Sequence, residues 1–158
     1  MNTRFENYLS ALPKKQQTMA REAVEEYLKG ASEDVEKIDS SDAIYKRMQF
    51  LATAETEHAY VLLAKHSFRL IKQIEISHGG LTETAMDVRV IIKEALLNNA
   101  TVIAVVHNHP SGCVRPSRDD EEITKKIAEA CRVMRIFLVD HVIIGDGDYY
   151  SFRDNGKI

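Results

Sequence analysis

Apolar residues recur along this chain in two rhythms, one near every second residue and one near every three to four. The changes between them mark out the elements. His58 to Ala64, HAYVLLA, is rich in strand formers. Phe68 to Ser77, FRLIKQIEIS, alternates as a half-buried strand does, and the intervening Lys65-His66-Ser67 suits a turn, so these two segments predict a hairpin. Gly79 and Gly80 break the pattern. From Asp87 to Asn98 the apolar positions Val88, Ile91, Ile92, Ala95 and Leu96 lie on one helical face. Residues 101–106, TVIAVV, form a short continuous apolar run, which predicts a central strand buried on both faces. That run ends at His107, and a loop leads to Pro116. A helix follows from Ser117 to about Met134, then a strand from Ile136 to Ile144. A tight turn over Gly145 to Asp148 precedes a last strand, Tyr149 to Phe152.

The first forty residues are different in kind. Lys14 to Lys29 is dense in helix formers, with Met19, Ala20, Ala23, Val24, Tyr27 and Leu28 at helical spacing and Gly30 as a stop. Residues 31–40 are polar and acidic and suit a linker. Ser40, Ser41 and Asp42 can cap a further helix from Ala43 to about Thr53. The expectation is therefore a helical N-terminal extension and linker over 1–40, packed on the domain or used for assembly. A domain over 41–158 follows, in which strands and helices interleave as a mixed sheet with helices on its faces.

Composition narrows the class. The 158 residues suit one compact domain. At 44% hydrophobic and 28% charged, the chain can build a core and is not of the disordered type. The formal net charge of −3 lacks the basic excess usual in nucleic-acid binders. Two cysteines, Cys113 and Cys131, are too few for a disulfide framework. No secretory or membrane-spanning segment is visible, so a soluble cytoplasmic protein is expected.

The chemistry concentrates in residues 107–120, HNHPSGCVRPSRDD. Side chains two apart on a strand point the same way, so His107 and His109 can aim at one point. Asp120, on the first turn of the next helix, can face back toward it. Two imidazoles and a carboxylate make a three-ligand zinc set with a fourth position open for water. Asp120 has an equal rival role, because Ser117 with an acid three residues on is a capping box; Asp119 is a neighbouring rival ligand. Hydrolysis also needs a carboxylate to take and return a proton. Glu57, just before HAYVLLA, is well placed if that strand lies beside 101–106, with Glu55 as its rival. A hydroxyl could support the oxyanion: Ser117 first, Ser111 second.

His107-Asn108-His109-Pro110-Ser111-Gly112, followed by Pro116-Ser117 and Asp120, resembles the signature of the RadC family within the JAB/MPN+ (JAMM) group of zinc metalloproteases. The similarity extends through Val139 to Gly147 and Tyr150 to Phe152, and upstream through Val90 to Leu96. It implies a JAMM-type α-β-α sandwich. It implies zinc on His107, His109 and Asp120, with Glu57 as general acid/base and Ser117 beside the oxyanion. Asp140 and His141 fall in the same pattern and suit structural or ligand-supporting roles. The chain departs from many family members in three places. It has no helix-hairpin-helix pattern in its first forty residues, Ala64-Lys65 follow the first strand, and His78-Gly79-Gly80 follow the second. The function implied is a zinc-dependent peptidase or isopeptidase acting on a peptide or isopeptide of unknown identity. The alternative is a DNA repair or mobile-element accessory protein that uses the fold for binding.

Overall fold

The structure, a computed structural model, describes residues 3–33, 36–79 and 86–158. It divides into two compact units, with the boundary between residues 35 and 36. The first holds α1 (Thr3–Ser10) and α2 (Lys14–Glu33). Pro13 precedes α2, where its missing N–H costs nothing, and its carbonyl accepts from Gln16 and Gln17. The expected stop at Gly30 is corrected: α2 runs through it. A single glycine costs a helix only about 1 kcal/mol, which the surrounding helix formers outweigh.

The second unit contains α3 (Ser41–Met48), a 3-10 turn (Gln49–Thr53), β1 (His58–Ala64), β2 (Leu70–His78), α4 (Val88–Leu97), β3 (Val102–Asn108), α5 (Arg118–Met134), β4 (Phe137–Ile144) and β5 (Tyr149–Ser151). The strands form one sheet in the order β2-β1-β3-β4-β5. Only the β3–β4 pair is parallel; the others are antiparallel. β3 is thus central, and every residue from Val102 to Asn108 is buried. The expected mixed sheet between helix layers is what the chain forms.

Strand alternation sorts the core into two layers. Leu62 and Ala64 of β1, with Val102, Ala104 and Val106 of β3, pack with Ile38, Ile44, Met48 and Leu51 on the α3 side. Val61, Leu63, Ile103 and Val105 pack with Ile91, Ala95, Ile127 and Cys131 on the α4/α5 side. By the same alternation, His107 projects to the α5 side.

Three details depart from the sequence reading. Residues 36–40 are not linker. Ile38 is fully buried, its N–H bonds to the Phe68 carbonyl at 3.0 Å, and Leu70 N–H bonds to the Glu36 carbonyl at 2.9 Å. This short bridge covers the start of β2, the edge strand. β2 begins at Leu70 rather than Phe68 because Phe68 closes the turn in the left-handed region, at φ 63°. That conformation is costly for a bulky residue, and it is offset by packing of the ring on the core and edge-to-face on Phe137. The third helix also tightens into the 3-10 turn after Met48 instead of continuing to Thr53. Residues 34 and 35 of the expected linker, and Gly80 of the expected break, lie outside the described residues.

Truncating Ile38 discriminates a docked segment from a tether. Ile38→Ala is expected to lower unfolding free energy by about 2–5 kcal/mol in urea denaturation. A loss within 0.5 kcal/mol, as for a solvated linker, would contradict the packing described here.

Candidate metal centre

His107 is the next-to-last residue of β3, and His109 lies just past the strand, where its N–H bonds to the Ile144 carbonyl of β4 at 2.9 Å. Asp120 stands on the first turn of α5. The three side chains converge. His107 Nε2 lies 3.1 Å from His109 Nε2 and 3.1 Å from Asp120 Oδ1, and His109 Nε2 lies 3.5 Å from Asp120 Oδ2. The His107 side chain is 0% exposed, Asp120 9% and His109 18%, so the group opens to solvent on the His109 side.

The outward-facing nitrogens fix the tautomers. His109 Nδ1 is 2.7 Å from the Cys113 carbonyl, which can only accept, so Nδ1 carries the hydrogen. His107 is set by a longer relay. The Thr124 hydroxyl donates to the Asp120 carbonyl at 2.5 Å, which commits its one proton. His141 Nδ1, 2.6 Å from Thr124 Oγ1, must therefore donate to it. His141 is fully buried, and burial holds its imidazole well below its ordinary pKa, in the neutral form. Its Nε2 is then an acceptor, and His107 Nδ1 donates to it at 2.9 Å. Both rings turn Nε2 toward the carboxylate. When the rings are neutral, three acceptors meet with no hydrogen between them.

Such a group demands a positive centre. The titration of its members says the same. The His109 imidazole is raised, first by its hydrogen bond to Asp120 and then by the Cys113 carbonyl and the charges of Asp120 and Glu57, against the opposing effect of burial. Burial alone would raise the Asp120 carboxyl, but hydrogen bonds from His107 and His109 hold it well below the usual carboxylate range. A metal cation answers the same demand. Bonds of roughly 2.0–2.1 Å in a tetrahedron set ligand atoms roughly 3.3–3.4 Å apart; His107 Nε2 lies near that edge, at 3.1 Å, from both His109 Nε2 and Asp120 Oδ1, while His109 Nε2 approaches the other carboxylate oxygen, Oδ2, at 3.5 Å.

The capping role of Asp120 leaves room for a ligand role, because the carboxylate has two oxygens. Oδ2 accepts from the Ser117 N–H and hydroxyl, both at 2.7 Å, while Asp120 N–H bonds back to Ser117 Oγ at 3.0 Å, a complete capping box. Oδ1 is left facing His107. Asp119 is exposed and is not in the cluster.

Glu57 is half-buried. β1 pairs with β3 so that Ala59 is opposite His107; continued two residues, the register puts Glu57 opposite His109. Its charge acts on His109. Glu55 is exposed and further out. Ser111 is exposed, its Oγ accepting from Cys113 N–H at 3.4 Å.

Sequence reasoning missed three contributors. Asn108, between the histidines, is 1% exposed and points to the opposite face. Its Oδ1 accepts from His58 N–H at 2.8 Å and its Nδ2 donates to the Thr56 carbonyl at 3.0 Å, so it clips the backbone on both sides of Glu57. Thr124, at one helical turn from Asp120, anchors the histidine relay. Cys113 contributes its carbonyl rather than its thiol. The loop carrying it packs so closely that a Cβ on Gly145 would come within 2.2 Å of the Gly112 carbonyl. His141, expected in a structural or ligand-supporting role, bonds to His107 and stacks on Phe152 at 4.8 Å. Asp140 is raised by burial, and it ties β4 to the C-terminal turn by accepting from Ser151 Oγ and Arg153 N–H.

A mixed five-stranded sheet between helices, with His-x-His leaving its central strand, is a JAB/MPN-type fold. The RadC-like JAB domain matches residues 38–157, and the chain belongs to that family. The wider JAB group includes metal-dependent hydrolases. The chain is similar to a "UPF0758 protein" of Streptococcus gordonii, 43% identical over 120 residues, which cover 75% of this chain and 53% of the relative. Another of the same name, from Porphyromonas gingivalis, is 41% identical over 125 residues (78% and 55%). A third, from Flavobacterium johnsoniae, is 38% identical over 137 residues (86% and 58%). The chain thus spans little more than half the length of these relatives. Among the described residues, no helix is long and apolar enough to cross a membrane.

Removing the Asn108 clip isolates its role. Asn108→Ala leaves a buried N–H and carbonyl unpaired and is expected to cost about 1–3 kcal/mol, with faster amide exchange at His58 and unchanged metal uptake. Unaltered exchange at His58 would show that the clip does not hold this segment.

Proposed function

We propose that this chain is a zinc-dependent hydrolase that cleaves a peptide or isopeptide bond, with His107, His109 and Asp120 holding the ion and Glu57 moving the proton. One observation carries the reading: three acceptor groups, one from each of His107, His109 and Asp120, converge within 4.8 Å of one another, with both rings locked in the tautomer that offers Nε2. Hydrogen-bonded locks of this kind cost order to build and serve no purpose in a plain loop mouth. Imidazole and carboxylate together suit zinc, and other divalent ions of similar preference compete for such a set.

A bound ion would supply Lewis acidity, polarising the scissile carbonyl and making water nucleophilic near neutral pH. The protein's own groups do the rest. Glu57, held opposite His109 by the β1–β3 register and the Asn108 clip, takes the proton of the attacking water on its carboxylate. It then delivers that proton to the leaving nitrogen. Ser117 can turn its hydroxyl toward the oxyanion by releasing Asp120 Oδ2, which still keeps the Ser117 N–H. The buried His107 side excludes bulk water, and the His109 side admits the substrate.

Two sets of variants test this reading. Glu57→Gln is expected to retain metal and lose activity by about 10²–10⁴-fold on a peptide or isopeptide library. His109→Ala and Asp120→Asn should lose the ion itself, measured by metal analysis of dialysed protein. Full metal retention in both ligand variants would end the assignment. Separately, Thr124→Val takes away the acceptor of His141 Nδ1–H and should weaken zinc affinity by about 10–100-fold, measured by competition with a chromophoric chelator. An unchanged affinity would show that the relay does not set the His107 tautomer.

A further inference from the structure

A second group of potential ligands lies at the open end of the β1–β2 hairpin. It comprises His58, Glu75 and His78, whose ligand atoms all fall within 4.8 Å of one another. His58 and His78 are directly opposed across the antiparallel pair, with ring centroids 4.1 Å apart. Glu75 joins them because of a bulge. Three residues apart on a regular strand, Glu75 and His78 would face opposite ways. The register slips between Ala59 and Tyr60, which leaves Ile76 unpaired and returns Glu75, opposite Tyr60, to the same face as His78. That is the α3 side of the sheet, where Tyr60 packs, and it is opposite to the side that holds His107.

The hydrogen-bond inventory is short of a positive centre here too. Glu75 Oε1 lies 2.6 Å from His58 Nδ1, so that nitrogen carries a hydrogen. Thr56 Oγ1 sits 3.0 Å from His58 Nε2 and 3.2 Å from His78 Nε2. One hydroxyl has one proton to give. If it goes to His58 Nε2, His78 Nε2 must donate to the hydroxyl oxygen. The neutral His78 ring is then left with its Nδ1 lone pair facing the Glu75 carboxylate at 3.8 Å. Two acceptors at that separation leave room for one ion with bonds of roughly 2.0–2.2 Å to each. In its other tautomer the His58 ring carries its hydrogen on Nε2, donates it to Thr56 Oγ1 and frees Nδ1 as a third ligand.

We propose that His58, Glu75 and His78 form a second divalent transition-metal site, distinct from the His107, His109 and Asp120 cluster. Two imidazoles and one carboxylate favour zinc, copper or nickel over magnesium or calcium. His78 and Glu75 are exposed, with side chains 59% and 39% accessible, so the ion exchanges readily with solvent. It binds one residue from Glu57 and pins both strands of the hairpin at the point where Glu57 enters the sheet. Occupancy of this site therefore stiffens the support of Glu57 from the far face.

Zinc titration of the metal-free full chain by calorimetry, paired with metal counting after equilibrium dialysis, decides the matter. The expected result is two ions per chain, with the weaker lost in His78→Ala and in Glu75→Gln and the tighter lost in Asp120→Asn. Copper(II) loaded into Asp120→Asn should show coupling to two nitrogens by electron paramagnetic resonance, a signal lost when His78→Ala is added. Wild-type binding of one ion that vanishes in Asp120→Asn overturns the second site and leaves the first intact. One ion that vanishes in His78→Ala supports the second site and sinks the first. Two ions that both survive His78→Ala and Glu75→Gln overturn the second site.

Discussion

Two imidazoles with their outer nitrogens already committed face each other beside a carboxylate, and the surrounding structure is arranged around that demand for positive charge. The Cys113 carbonyl holds one ring, and the His141–Thr124 pair holds the other. Neither hold is local to the histidine it sets. The first needs the loop after β3 folded back against Gly145. The second needs β4 beside β3 and α5 above both. The tertiary structure thus acts through hydrogen positions, which decide whether two side chains repel one another or share a cation.

The same economy of groups appears in Asp120. A carboxylate at a helix start is already favoured by the unpaired N–H groups there and by the helix dipole. Ser117 uses one oxygen for that purpose and leaves the other to His107. The capping box orients Oδ1, so the feature that competes with a ligand role in the sequence is the feature that turns this oxygen toward His107.

Much of this was legible in the sequence where side-chain type and period carry the information. β1 and α5 were placed closely, the continuous apolar run gave the central strand, and its ending in His-x-His pointed to the cluster. The position of Glu57 across from His109 followed from the expectation that β1 lies beside β3. What escaped depends on the backbone or on register. The Cys113 carbonyl has no letter of its own. Asn108 looks like a spacer until His58 and Thr56 are known to lie across from it. Ile38 sits in an acidic stretch whose composition says linker, and a single apolar residue has no period to reveal it. The grouping of Glu75 with His78 hinges on a bulge, which no alternation pattern announces.

The order of the groups along the chain has a consequence for assembly. His107, His109 and Asp120 fall within fourteen consecutive residues, 107–120, and one strand-loop-helix unit brings them together. Glu57 is fifty residues upstream of His107 and arrives only when β1 has closed against β3, a contact whose loop entropy delays it. A nascent or partly unfolded chain can therefore gather the three side chains before Glu57 stands beside them. On the function proposed above, the capacity to hold an ion would precede the capacity to hydrolyse a bond.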